Sequence, residues 1–213
     1  MNPRLWSSLD WLKRRSSLAA AISLKHRGAL RDEGWFRSVQ EQAPVNAAGE
    51  PIPWISYPAL HFIAAHTRPE MQVFEFGSGY STLWWASRVR KVVSCEADEK
   101  WCAQVQKRAP ANVELLRVDE KDYPETAVRW PDTFDVVVID GGDRVACTKS
   151  AVSALNAGGV ILWDDAERTE YQPGFAFLRE RAFARIDFVG LGPIVNITKA
   201  TSIFYRPGNI FGI

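Results

Sequence analysis

The chain is short of several things, and each shortage narrows what it can do. No apolar run in its 213 residues approaches the roughly 20 that a membrane-spanning helix needs. There are three cysteines, Cys95, Cys102 and Cys147, with no C-x-x-C pair, and three histidines, none beside a cysteine. That supply argues against a disulfide framework and a structural zinc, and it reads as reduced thiols in a cytoplasmic protein. Net charge is scarce as well: 26 Lys and Arg stand against 25 Asp and Glu, a formal +1. Nothing in that balance asks for a polyanion, so nucleic acid is not the expected partner. Internal repeats and low-complexity segments are also missing.

What is there is a chain 46% hydrophobic, enough for one compact α/β domain with a small extension. At its start a basic cluster, Lys13-Arg14-Arg15, precedes a short apolar stretch, residues 18–24. Asp10 in the leader and the lack of a clean A-x-A site speak against a signal peptide. Trp6, Leu9, Trp11 and Leu12 would suit an interfacial membrane helix. The favoured reading is an amphipathic helix packed on the domain or on a second copy of the chain, which makes a homodimer a candidate assembly. A second helical piece spans about 31–42. The loop "APVNAAGEPIPWISYP" follows, its prolines at 44, 51, 53 and 58 favouring an extended path.

A short helix at about 59–66 opens a regular alternation. Strands are expected at 72–76, 91–96, 113–118, 134–139 and 159–163, with helices at 81–88, 99–108, 124–130 and 144–155 between them. Apolar, β-branched runs separated by helices specify a parallel sheet covered on both faces. After a helix near 174–181 come two strand-like runs, "ARIDFVGLG" and "TSIFYR", joined by a connection short enough for an antiparallel hairpin at the sheet edge. The expected fold is α/β: a Rossmann-like, doubly wound, mostly parallel seven-stranded sheet with an antiparallel C-terminal hairpin. Residues 1–58 form an N-terminal helical extension and lid loop, and residues 59–213 the main domain.

The first strand runs into "EFGSGYS", an acid, a glycine loop and a helix. Glycines there let a backbone approach a ligand, or merely allow a tight turn. The dinucleotide fingerprint G-x-G-x-x-G is incomplete, because Thr82 stands where the third glycine belongs. That gap, and the lack of a Tyr-x-x-x-Lys-type pair, disfavour an NAD(P)-dependent oxidoreductase. The pattern E-x-G-x-G is complete as Glu75-Phe76-Gly77-Ser78-Gly79. With the strand endings "KVVSCEADEKW", "VELLRVDEKDY", "FDVVVIDGGDR" and "GGVILWDDAER", the run from about 73 to 165 resembles a class I S-adenosylmethionine-dependent methyltransferase.

That resemblance implies site residues one by one. Glu75, Gly77, Ser78, Gly79 and Ser81 would bind the methionine end of S-adenosylmethionine. Glu96 would take the ribose hydroxyls, and a carboxylate suits that job because its two oxygens accept two hydrogen bonds side by side. Asp119 would meet the adenine amino group, and Asp140 would lie beside the sulfonium. The segments "PIPWISYP", "GSGYSTLWWA" and "TSIFYRPGNIFGI" further resemble a small bacterial methyltransferase-like group associated with polysaccharide synthesis. The implied reaction is methyl transfer to a hydroxyl oxygen of a small or glycan-like acceptor. The competing reading is a non-catalytic binding module of the same fold in glycan assembly.

Three aspartates at neighbouring strand ends, Asp140, Asp164 and Asp165, would repel one another unless a proton or cation joined them, and hard oxygen ligands suit Mg²⁺. Catechol-type O-methyltransferases resemble this arrangement, though their lysine base is replaced here by Asp143. The other reading of Asp164 or Asp165 is a helix cap. Asp143 is a candidate proton acceptor and Arg144 a candidate anchor for an acidic substrate group, or else both open the next helix. Trp54 and Tyr57 are placed as a lid over cofactor or substrate. Trp84 and Trp85 are expected to pack in the core.

Overall fold

The structure is a computed structural model, and it describes residues 16–213. The expected role of Trp6, Leu9, Trp11 and Leu12 lies outside the described residues. The first described helix, α1 (Ser17–His26), buries none of its side chains, and Leu18 and Ile22 stand 69% and 55% exposed. Two short helices follow, α2 (Ala29–Asp32) and α3 (Trp35–Glu41), which replace the single piece expected at 31–42. The break falls at Gly34, whose φ of 82° suits glycine and where a Cβ would strike the backbone of Asn46 and Ala47.

Helix α4 (Tyr57–His66) starts at Ser56, which caps it, and leads into the sheet. Strands β1 (Gln72–Phe76), β2 (Lys91–Glu96), β3 (Val113–Arg117), β4 (Phe134–Ile139) and β5 (Leu155–Trp163) run parallel; β6 (Ala184–Gly190) and β7 (Lys199–Tyr205) form the antiparallel hairpin. The seven strands lie in the order β3-β2-β1-β4-β5-β7-β6. The last strand of the chain therefore slots between β5 and β6, antiparallel to both. Helices α5 (Tyr80–Ala86), α6 (Glu99–Gln106), α7 (Arg144–Ala154) and α8 (Gln172–Glu180) cross over the sheet, and residues 123–129 form a 3₁₀ turn where an α-helix was expected.

Alternation along each buried strand divides the core into two layers. Phe74, Phe76, Val137, Ile139, Ile161 and Trp163 belong to one, with Cys147 and Phe175. Val73, Val92, Val136, Val138 and Leu162 belong to the other, with Trp84 and Trp85 of α5 and Ile63 of α4. Trp84 and Trp85 are 3% and 0% exposed, as expected of core residues. Strand order reverses between β1 and β4, and in an open α/β sheet that point leaves a crevice beyond the carboxyl ends of the strands. Among the described residues no helix is long and apolar enough to cross a membrane.

Candidate functional site

The crevice holds two adjoining cavities that share Ser78 and Asp140 in their walls. One, of about 690 Å³, is lined by the ends of β1, β2 and β4, including Gly77, Glu96, Tyr123, Gly141 and Asp143. The other, of about 580 Å³, lies over the end of β5 and is walled by Trp54, Ser81, Trp101, Arg144, Asp165 and Lys199 among others.

Between the first cavity and the sheet lies a tight turn. Gly77 has φ 98°, a conformation L residues rarely adopt, and a Cβ there would come within 3.3 Å of the Asp140 carbonyl and the Gly141 Cα. Its carbonyl accepts from the buried Ser94 hydroxyl at 2.9 Å, and its amide donates to the Cys95 carbonyl at 3.0 Å. Glu75, one turn of the pleat earlier, points into the apolar layer that contains Trp84 and Trp85. It is 1% exposed, and neither carboxyl oxygen has a hydrogen-bond partner. Burial pushes its carboxyl up to about 7, against a smaller opposing pull from the nearby Thr82 and Ser81 hydroxyls. The Thr82 hydroxyl is itself engaged, accepting from the Gly79 amide at 3.0 Å.

Glu96 sits at the end of β2, facing the turn. One oxygen accepts from the Ser78 amide at 3.1 Å and the Ser78 hydroxyl at 3.0 Å; the other accepts from the amides of Ala97 and Asp98 at 2.9 and 3.0 Å. Trp101 of α6 closes this network, its indole N–H donating to the Ser78 carbonyl at 2.7 Å. Asp119 is placed differently from Glu96: its side chain is 70% exposed, 3.4 Å from Arg117, while Glu120 and Lys121 line the cavity instead. Asp143 caps α7, its Oδ1 accepting from the Ala146 amide at 3.3 Å, with φ 38°.

The second cavity is built on charge. Arg144, only 10% exposed, donates from Nη2 to Asp140 Oδ1 at 3.0 Å and lies 3.3 Å from Asp165 Oδ2. Its Nε donates to the Gly141 carbonyl at 3.2 Å, and Nη1 to the Asp164 carbonyl. The guanidinium is thus spent on the protein itself. Asp164 is 2% exposed and accepts from Lys199 Nζ at 2.6 Å and from the Thr201 hydroxyl at 2.7 Å. Asp165 lies 3.2 Å from the same Nζ and 2.7 Å from Arg168. Burial and the neighbouring Asp164 carboxylate push Asp140 above the usual carboxylate range. Burial also raises Asp164, although Lys199 opposes it. For Asp165 the same burial is outweighed by Lys199 and Arg144, which hold its carboxyl low.

The expectation of Mg²⁺ on Asp140, Asp164 and Asp165 fails on this geometry. The aspartates do converge, but Arg144, Lys199 and Arg168 already sit against them, and among the described residues no three metal-donor side chains are arranged to hold an ion. Of the expected lid, Trp54 is 44% exposed and lines the second cavity, whereas Tyr57 is 6% exposed and packs in the core with Ile63 and Trp85. Lys199, Thr201, Thr82 and Trp101 escaped the sequence reading. A lysine opening the apolar run "KATSIFY" was the one signal for Lys199.

Residues 74–166 match the family model described as "Methyltransferase domain". The match spans less than half of the chain. It contains Glu75, the glycine turn, Glu96, Asp140, Asp164 and Asp165, while Lys199 and Trp54 lie outside it. Solved structures share the fold. A Klebsiella pneumoniae protein provisionally assigned as an O-methyltransferase is 17% identical, covering 92% of this chain and 100% of its own, with a TM-score of 0.57. Precorrin-6y C5,15-methyltransferase from Geobacter metallireducens GS-15 is 13% identical over 70% of this chain and 89% of its own, with a TM-score of 0.57. An rRNA methylase from Streptococcus thermophilus is 16% identical over 73% of this chain and 100% of its own, with a TM-score of 0.52. A comparison with curated proteins found no match.

The residues present fit S-adenosylmethionine. Gly77 and Ser78 line the first cavity at a turn whose positive φ suits glycine, the Glu96 carboxylate faces the same cavity, and two residues before the turn the buried Glu75 carboxylate is without a partner.

Proposed function

We propose that the chain transfers a methyl group from S-adenosylmethionine to a hydroxyl oxygen of a small or glycan-like acceptor. The observation that carries this reading is the Glu96 carboxylate facing the cavity at the Gly77 turn, with the partnerless Glu75 carboxylate two residues before that turn. When bound, the cofactor supplies a methyl group already activated on a sulfonium, so the protein's task is chiefly alignment. Glu75, Gly77, Ser78, Gly79 and Ser81 hold the methionine end. Glu96 takes the ribose, its diol displacing the Ser78 hydroxyl that the carboxylate now binds. Asp119, the expected adenine contact, is exposed and outside the cavity lining, so this role requires its side chain to turn inward on binding.

Asp140 is the proton acceptor best supported, because it lines both cavities and burial pushes its carboxyl above the usual carboxylate range, which makes it a stronger base. Asp143 is committed to capping α7 and Arg144 to its own carboxylates, which leaves both as positioning groups. The acceptor lies in the second cavity against Trp54, where a hydroxyl-bearing ring can rest on the indole.

Calorimetry with S-adenosylhomocysteine tests the cofactor half. Wild type binds, and Glu96→Ala loses roughly 10–100-fold in affinity, as expected for two charge-assisted hydrogen bonds. No binding by wild type removes the proposal, and equal binding by both removes the role of Glu96. Binding with no methyl transfer to any hydroxyl acceptor would favour the non-catalytic module.

A further inference from the structure

The carboxylate cluster at the end of β5 is balanced from within. Three acids, Asp140, Asp164 and Asp165, meet three bases, Arg144, Arg168 and Lys199. Lys199 is nearly enclosed, as Arg144 is and the half-exposed Arg168 is not, and it alone of the three presents a compact ammonium, with oxygens on three sides. Its Nζ is 2.6 Å from Asp164 Oδ2, 3.2 Å from Asp165 Oδ1 and 2.9 Å from the Trp54 carbonyl. Of the three protons an ammonium can donate, two go to Asp164 and the Trp54 carbonyl, and Asp165 lies within ion-pair distance. Two carboxylates and a main-chain carbonyl around one small cation are also the donors a hard metal ion selects.

We propose that Lys199 is the resident cation of this cluster: its ammonium occupies the place a divalent ion would need, keeps the acceptor cavity free of metal, and ties the Trp54 loop to the end of β5. The label "acceptor cavity" rests on the proposed function; the occupancy of the cluster by Lys199 does not. Two features separate this from an ordinary buried ion pair. The contact to Trp54 joins residues 145 positions apart, so one side chain sets both the charge balance and the position of the exposed indole wall. A second cation could enter only a few ångströms from the ammonium, against direct repulsion. Lys199 is thus a positioning residue for Trp54 and the aspartates.

Titration of the full chain with CaCl₂ and MgCl₂, followed by calorimetry, tests this. Wild type is expected to take up neither ion. Lys199→Ala leaves two carboxylate oxygens and the Trp54 carbonyl around an empty space, and it is expected to bind about one equivalent of Ca²⁺, lost again when Asp164→Asn is added. Uptake of either ion by wild type that disappears in Asp164→Asn overturns the proposal. So does a folded Lys199→Ala that binds no ion. A measurement on wild type keeps the test decisive if Lys199→Ala does not fold: nitrogen-15 spectra should show one slowly exchanging lysine ammonium, unchanged by 10-fold excess Mg²⁺, and its absence or displacement counts against Lys199. S-adenosylhomocysteine is titrated in parallel. Its failure to bind would sink the methyltransferase reading while leaving the metal result to stand on its own.

Discussion

Glu75 is the residue whose setting is hardest to explain by stability alone. A carboxyl at 1% exposure with no hydrogen-bond partner disfavours its own charged form. Its folded value is raised from 4.5 to about 7, so the protonated form favours the fold. That contribution is whole below about pH 4.5 and is lost as pH climbs through about 7, leaving a penalty of about 3 kcal/mol above it. The cofactor-free protein should therefore melt lower at pH 8 than at pH 5.5. Glu75→Gln should flatten that dependence and melt higher than wild type at pH 8, while binding S-adenosylhomocysteine more weakly. Thermal unfolding across this pH range, with and without ligand, checks both halves. A variant that keeps the wild-type pH profile would remove Glu75 as its source.

At the scale of elements, the turns decide how close the strand ends approach one another. A Cβ on Gly141 would run into the Tyr123 hydroxyl, whereas one on Gly142 meets nothing within 4 Å. Gly141→Ala should cost about 1–3 kcal/mol and widen the first cavity, and Gly142→Ala should stay within about 0.5 kcal/mol of wild type. Denaturant melts of the two neighbours give a direct comparison. The strands were the most legible elements: β1, β2 and β4 fall at 72–76, 91–96 and 134–139, where their apolar runs lie. Strands buried on both faces must be apolar throughout, and that leaves a plain trace in the chain. Strand β5 begins earlier than its apolar run, at Leu155, because the first pairing to Phe134 precedes a register shift that Asn156 and two glycines accommodate. Glu96 could be placed from its strand end alone. The cations around Asp164 could not, since Lys199 reaches it only because β7 inserts beside β5, a pairing between residues far apart in sequence.

Across the whole molecule, stability is concentrated in the sheet and its two apolar layers. Leu162 in β5 is 1% exposed, and Leu162→Ala should cost about 2–5 kcal/mol and lower the melting temperature by roughly 5–15 °C. Ile22 on α1 is 55% exposed, and Ile22→Gln should move stability by less than about 0.5 kcal/mol. Melting curves that ranked the two the other way would mean that α1 is a structural part of the domain.

The place of β7 also bears on the order in which the protein becomes competent during synthesis. The turn at Gly77, Glu96 and the end of β4 all lie within residues 72–141, so the first cavity has its chain long before the C-terminal hairpin is made. Asp164, by contrast, stays an uncompensated acid until the strand carrying Lys199 and Thr201 has been threaded between β5 and β6. A nascent chain halted before residue 199 would hold the whole lining of the first cavity and none of the counter-charge that Lys199 brings to the second.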